Sequence, residues 1–108
     1  MDLTAIACVP CQGGEPTLKD DEIARYLTQV SGWSKEDNPN KIVKEFEFKD
    51  FREAIKFINK VANLAESEGH HPNIYLHDYK KIRIELWTHK IGGLHQNDFI
   101  MAAKIDKL

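Results

Sequence analysis

The sequence has little cysteine, no long apolar run and no surplus of charge of one sign, and each shortage removes a class of protein. Cys8 and Cys11 are the two cysteines in 108 residues, separated only by Val9 and Pro10 near one end. Thiols so placed cannot staple a domain, which fits a reducing compartment. No stretch approaches the roughly 20 apolar residues of a membrane-spanning helix, and the first residues lack the charged start and apolar core of a secretory signal. A cytoplasmic protein is expected. The 15 Lys plus Arg nearly balance the 17 Asp plus Glu, for a net charge of -2, and no basic run stands out. A dedicated nucleic-acid binder needs cations to replace phosphate counterions, so that class is not expected.

What is present is ordinary core material. The chain is 42% hydrophobic and carries five Phe, three Tyr and two Trp, enough for one domain with one core and too little for two. Residues 1–16, with Pro10, Gly13, Gly14 and Pro16, show no sustained period and read as an irregular lead-in; residues 17–108 read as the single domain. Thr17 is placed to cap a helix with Asp20 and Asp21 in its first turn and Ile23, Leu27 and Val30 on one face, closed by Gly32.

Trp33 to Asn40 reads as a short strand and a turn, after which Ile42, Lys44, Phe46 and Phe48 alternate with Val43, Glu45 and Glu47 as in a half-buried strand. Asp50 and Glu53 resemble a capping box. Behind them Phe51, Ala54, Ile55, Ile58, Val61, Ala62 and Ala65 fall at helical spacing, and Gly69 and Pro72 end the helix. Ile74 to His77 and Lys81 to Trp87 read as a hairpin turning through Asp78, Tyr79, Lys80 and Lys81. After Gly92 and Gly93, a last helix is marked by Leu94, Asp98, Met101, Ala102 and Ile105 along one stripe. The order helix, two strands, helix, two strands, helix, with alternating rather than uniformly apolar strands, predicts a two-layer α+β fold. Its four-stranded antiparallel sheet carries the helices on one face.

The candidate site follows from hairpin arithmetic. A turn centred between Tyr79 and Lys80 pairs those residues and, extended outward, sets His70 opposite His89, with His71 adjoining. Glu66, one helical turn before His70, is placed to hydrogen-bond an imidazole and fix its tautomer. Histidine suits proton transfer because its ordinary pKa of about 6.5 lets one ring donate while another accepts near neutral pH. Two other readings compete: a polar loop at a helix end, and a three-imidazole zinc site, which adjacent histidines form only on a specially bent backbone. His77 reads as a solvated sheet residue and His95 as a polar residue near the last helix start. Cys8 and Cys11 have redox-motif spacing without the strand and helix that such a motif needs.

The residues also carry a resemblance. Glu66-x3-His70-His71-Pro72, then Tyr79, His89 and Asp98 at their spacings, together with Gly32-Trp33, Phe46-x-Phe48-Lys49-Asp50-Phe51 and Gly93-Leu94, resemble the signature of the pterin-4a-carbinolamine dehydratases. That resemblance implies a hydro-lyase, a 4a-hydroxytetrahydrobiopterin dehydratase. Such an enzyme turns a 4a-hydroxytetrahydropterin into quinonoid dihydropterin and water, in tetrahydrobiopterin recycling beside an aromatic amino acid hydroxylase. It implies His70, His71 and His89 as catalytic, Glu66 and Asp98 as supporting groups, and His70 to Pro72 with Thr88, His89, Lys90 and Ile91 as substrate contacts. The bland reading of Asp98 is a first-turn helix acid. No cofactor and no metal are implied; a homodimer or homotetramer is. A binding role as dimerisation cofactor for a transcription factor is the competing function. Trp87 stands where some members carry a small residue, and the spacing from the His pair to Tyr79 is one longer than in some.

Overall fold

A computed structural model describes residues 2–10 and 12–108. Its elements are α1 (Asp20–Leu27), β1 (Ser34–Glu36), β2 (Lys41–Glu47), α2 (Phe51–Glu68), β3 (Asn73–His77), β4 (Lys81–Leu86) and α3 (Gln96–Ile105), with a turn of 3-10 helix at Leu3–Ala5 and another at His89–Ile91. The strands form one antiparallel sheet in the order β1-β2-β4-β3. This is the two-layer α+β architecture that the alternation implied.

The period of two decides which face is buried. Ile42 pairs with Leu86, Phe46 with Ile82 and Ile74 with Ile84, all on the helix-covered side. Ile42, Ile82, Ile84 and Leu86 are fully enclosed, each stabilising the fold by roughly 1.5–3 kcal/mol relative to exposure. The opposite face is charged. There Arg83 donates to Glu36 and Glu85, and Lys41 approaches Glu85. Lys44 lies on the core side, and its ammonium reaches out to donate to Asp106 and to the Ser31 carbonyl, beside the Trp33 indole N–H that donates to the same carboxylate.

The helices differ in detail from the sequence reading. α1 is capped by Lys19, whose N–H donates to Glu22 Oε1, and Thr17 instead packs against Gly93. α1 also ends at Leu27, before the buried Val30, as the Thr28 hydroxyl donates to the Arg25 carbonyl and competes with the helical ladder. In α2 the Asp50 side chain caps the Glu53 N–H, whereas the Glu53 carboxylate accepts from Lys56 rather than closing the box. Its buried stripe is Ala54, Phe57, Val61 and Ala65. Phe51 and Ala62 face outward. Gly69, at φ 67°, ends α2 as expected.

α3 is buried on nearly every side rather than along one stripe, because the lead-in segment covers the flank that the sheet and α2 leave open. Asn97 to Ala103 and Ile105 are all buried, Leu3 enters the same core, and the Leu3–Ala5 turn packs on α3. The lead-in is therefore not wholly irregular. Tyr26 of α1 stacks on Phe99 with centroids 4.9 Å apart.

The hairpin register differs from expectation by one residue. His77 pairs with Lys81 and Asn73 with Glu85, so a three-residue loop, 78–80, replaces the two-residue turn, with Asp78 and Tyr79 both at positive φ. Extending that register sets His70 opposite Thr88 rather than opposite His89.

Candidate active site: two histidine–carboxylate pairs at one cavity

The one-residue slip leaves His70 and His89 at the same cavity. Past β3 and β4, the C-terminal end of α2 and the turn at residues 88–93 enclose a hollow of about 340 Å³ lined by Gly69, His70, His71, Thr88, His89 and Lys90, with Val9 and Pro10 from the lead-in. That volume lies within the range of small-molecule sites. Volume alone does not single it out, since a hollow of about 490 Å³ beside Asp2, Gln29 and Lys107 holds no histidine. Of the residues expected from sequence, His70, His71, Thr88, His89 and Lys90 line the cavity, while Pro72 and Ile91 are not among the lining residues.

The turn at residues 88–93 is built to hold Thr88 and His89 still. The Thr88 N–H donates to the Gly93 carbonyl, and the Thr88 carbonyl accepts from the N–H groups of Ile91 and Gly92. Gly92 adopts φ 66°, a region that costs a residue with a Cβ. At Gly93 the reason for glycine is contact: a Cβ there would come within 2.6 Å of Thr17 Cγ2.

Each adjacent histidine has its own acid, and the two pairs are unlike. His70 Nε2 lies 2.6 Å from Asp98 Oδ1, with Asp98 fully buried. The other Asp98 oxygen accepts from the Thr88 hydroxyl at 2.9 Å and from the His95 N–H at 3.0 Å. An ionised carboxylate only accepts, so a neutral His70 bonded to one carries its proton on Nε2 and its lone pair on Nδ1. His71 Nε2 instead meets Glu66, and both side chains of that pair are exposed. Glu66 thus holds His71, and the acid on His70 is Asp98, more than a first-turn helix acid.

His89 is held differently again. Its ring stacks on Trp87, with centroids 4.2 Å apart and planes 17° apart, and Lys41 Nζ sits 5.4 Å from the Trp87 ring centroid. The sequence reading set Trp87 at the pocket wall, as a departure from other family members; Trp87 is not among the lining residues and instead backs His89, for which its position two residues before His89 was the available signal. The Val9 and Pro10 wall was also missed, since no periodicity marks it.

The remaining candidates fall outside the cavity. His95 caps α3, its Nδ1 accepting from the Asn97 N–H. His77 stands on the open sheet face between Glu45 and Asp78, whose hydrogen bonds raise its pKa above the ordinary histidine value. Cys8 is partly buried, and burial, then the Glu68 carboxylate, pushes its thiol up to about 12. A thiol so protonated is a poor nucleophile and redox partner; Cys11 lies outside the described residues. Among the described residues no group of three or more His, Cys, Asp or Glu is arranged to hold a metal ion. Among them, too, no helix is long and apolar enough to cross a membrane.

The family model described as pterin 4 alpha carbinolamine dehydratase matches residues 16–108. The chain belongs to this family. A relative from Methylococcus capsulatus, named "Putative pterin-4-alpha-carbinolamine dehydratase", is 49% identical over 98% of this chain and 92% of its own. Among solved structures, one described as a transcriptional coactivator/pterin dehydratase from Brucella melitensis is similar at TM-score 0.79 and 33% identity, covering 85% of this chain and 97% of that one. A pterin dehydratase-like protein described as a RuBisCO assembly factor in the alpha-carboxysome is similar at TM-score 0.61 and 26% identity, over 70% of this chain and 87% of that one. The family match thus covers the His70, His71, Thr88, His89 and Asp98 cluster and stops short of Val9 and Pro10.

Proposed function

We propose that this protein is a hydro-lyase that dehydrates 4a-hydroxytetrahydropterin to quinonoid dihydropterin and water by histidine acid-base catalysis. The observation that carries the reading is the cavity in which His70, backed by buried Asp98, and His89, stacked on Trp87, line one hollow. The reaction breaks the C4a–O bond and forms the N5=C4a bond. The N5–H gives its proton to a base, the nitrogen lone pair forms the double bond, and the hydroxyl leaves as water after receiving a proton from an acid. No net proton is consumed.

In this reading His70 is the base, its Nδ1 lone pair made available because Asp98 accepts from Nε2. His89 supplies the proton to the departing hydroxyl, and solvent next to its exposed ring resets it. His71 and Thr88 flank the ring and orient the substrate, with Pro72 and Ile91 stiffening the backbone behind them and Lys90 at the rim. Glu66 and Asp98 are positioning groups, since each acts through a histidine.

The work fits a cytoplasmic enzyme that restores tetrahydrobiopterin for an aromatic amino acid hydroxylase. The outward apolar stripe Phe51, Ile55 and Ala62 on α2 supports a homodimer or homotetramer. A second reading, a module that binds and dimerises a transcription factor, draws on that same stripe and on the coactivator description of the Brucella melitensis protein.

The test is to generate the carbinolamine with a hydroxylase and follow its dehydration. The unmodified protein accelerates it over buffer, and His70→Ala lowers the rate about 100-fold or more. No acceleration by the unmodified protein would remove the enzyme reading and leave the binding module.

A further inference from the structure

The lead-in segment is bonded to the helices on either side of the site at consecutive residues. The Cys8 N–H donates to Glu68 Oε1 at 2.9 Å, and Glu68 Oε2 accepts from Lys104 at 2.7 Å. At the next residue the side chain of Asn97 makes a reciprocal pair with the Val9 backbone: the Val9 N–H donates to Asn97 Oδ1 at 3.0 Å, and Asn97 Nδ2 donates to the Val9 carbonyl at 2.7 Å. Asn97 is 2% exposed, so its amide serves the lead-in rather than solvent. Leu3 lies in the core with Ile6 and Cys8 packed against it, which anchors the segment before the clamp.

The clamp has a product that packing does not explain. Val9 is 55% exposed although its backbone is tied down, and with Pro10 it lines the cavity whose other side chains are His70, His71, Thr88, His89 and Lys90. Ordering a segment costs conformational entropy, and here the ordered residue presents an apolar side chain to the hollow instead of burying it. A flat heterocycle offers polar edges, which suit the histidines, and apolar faces and substituents, which do not.

Resting on the dehydratase reading, we infer that Val9 and Pro10 form a specificity-determining wall of the site, contacting the C6 substituent of the pterin rather than its reacting atoms, and that Asn97 is the positioning residue that holds Val9 there. The wall lies outside the stretch matched by the family model.

The experiment measures kcat and KM for carbinolamines of two tetrahydropterins, one with a methyl group at C6 and one with a dihydroxypropyl chain, and amide exchange at Val9 by NMR. Val9→Ser leaves an exposed position to fold normally. It raises KM roughly threefold or more with a smaller change in kcat, as lost apolar contact does. Val9→Trp shifts the ratio of the two KM values by about fivefold or more by filling the wall side of the hollow. Asn97→Ala speeds Val9 amide exchange about tenfold or more, and Asn97→Asp, which keeps the acceptor, is intermediate. KM values and their ratio within twofold of the unmodified protein in both Val9 variants, with the unmodified protein active, overturn the inference and leave the dehydratase reading standing. Val9 exchange unchanged in Asn97→Ala removes the clamp. An unmodified protein that dehydrates neither substrate overturns the dehydratase reading and this substrate assignment together.

Discussion

His70 and His71 are neighbours in sequence, each bonded through Nε2 to a carboxylate, yet one pair is a fixed part of the core and the other stands in water. The His70 side chain is 12% exposed and Asp98 0%, whereas His71 is 63% exposed and Glu66 77%. Asp98 also has two further donors, the Thr88 hydroxyl and the His95 N–H. The exposed pair is screened by solvent and pays side-chain entropy to hold its geometry. The buried pair cannot be broken without stranding a charge or a donor. Burial, more than residue type, therefore separates a ring with one enforced tautomer from a ring that is only steadied.

The largest expected effect comes from breaking the buried pair. Asp98→Ala strands three donors and lowers stability by roughly 3 kcal/mol or more, seen as a fall in Tm of roughly 10 °C or more. Asp98→Asn keeps the shape but no longer enforces the Nε2–H tautomer of His70. It lowers the dehydration rate about 100-fold, with a smaller fall in Tm than Asp98→Ala. Glu66→Gln is the matched change on the exposed side. It leaves Tm within about 1 °C and the rate within about threefold, and equal losses from the two acids would erase the contrast.

The smallest effect concerns His77, a third histidine–carboxylate pairing, on the open sheet face. Glu45 first, then Asp78, raises its pKa in the folded chain above the ordinary histidine value of about 6.5. A raised folded value means that its contribution to stability is fully present below the unfolded pKa and is lost as pH rises through the folded one. NMR titration of the ring finds a midpoint above the ordinary value, and Glu45→Gln moves it down. Glu68 gives the opposite sign at the lead-in clamp. Its pKa is lowered by the Cys8 N–H first and Lys104 second. Its contribution is present above the ordinary carboxylate value and lost as pH falls through the lowered one, so protection of the Cys8 amide fades only in acid.

The sheet was legible because alternation at Ile42, Lys44 and Phe46 and at Ile82, Ile84 and Leu86 encodes a buried face directly. The hairpin register was less so. Tyr79 carries no signal for positive φ, yet it and Asp78 both adopt it in a loop one residue longer than the tightest turn. The α2 stripe was misread at Phe51, Phe57 and Ala62 because apolar residues line more than one face of that helix, and only packing chooses between them. In the site, the three histidines and Glu66 were nameable from spacing, and Asp98 from the family resemblance. Which acid serves which ring was not, since Asp98 reaches His70 through the docking of α3, a tertiary event absent from local pattern. Val9 and Pro10 were read only as the spacer between two thiols, because their placement at the cavity depends on a clamp from Asn97, 88 positions away.

The central claim is that His70 and His89 work on one heterocycle as a unit, and a double-mutant cycle on single-turnover dehydration tests it most directly. With His70→Ala, His89→Ala and the double variant compared at saturating protein, the account predicts that each single change costs about 100-fold or more and that the double variant is scarcely slower than the worse single. Full activity in either single variant, or losses that multiply as for independent sites, would contradict it.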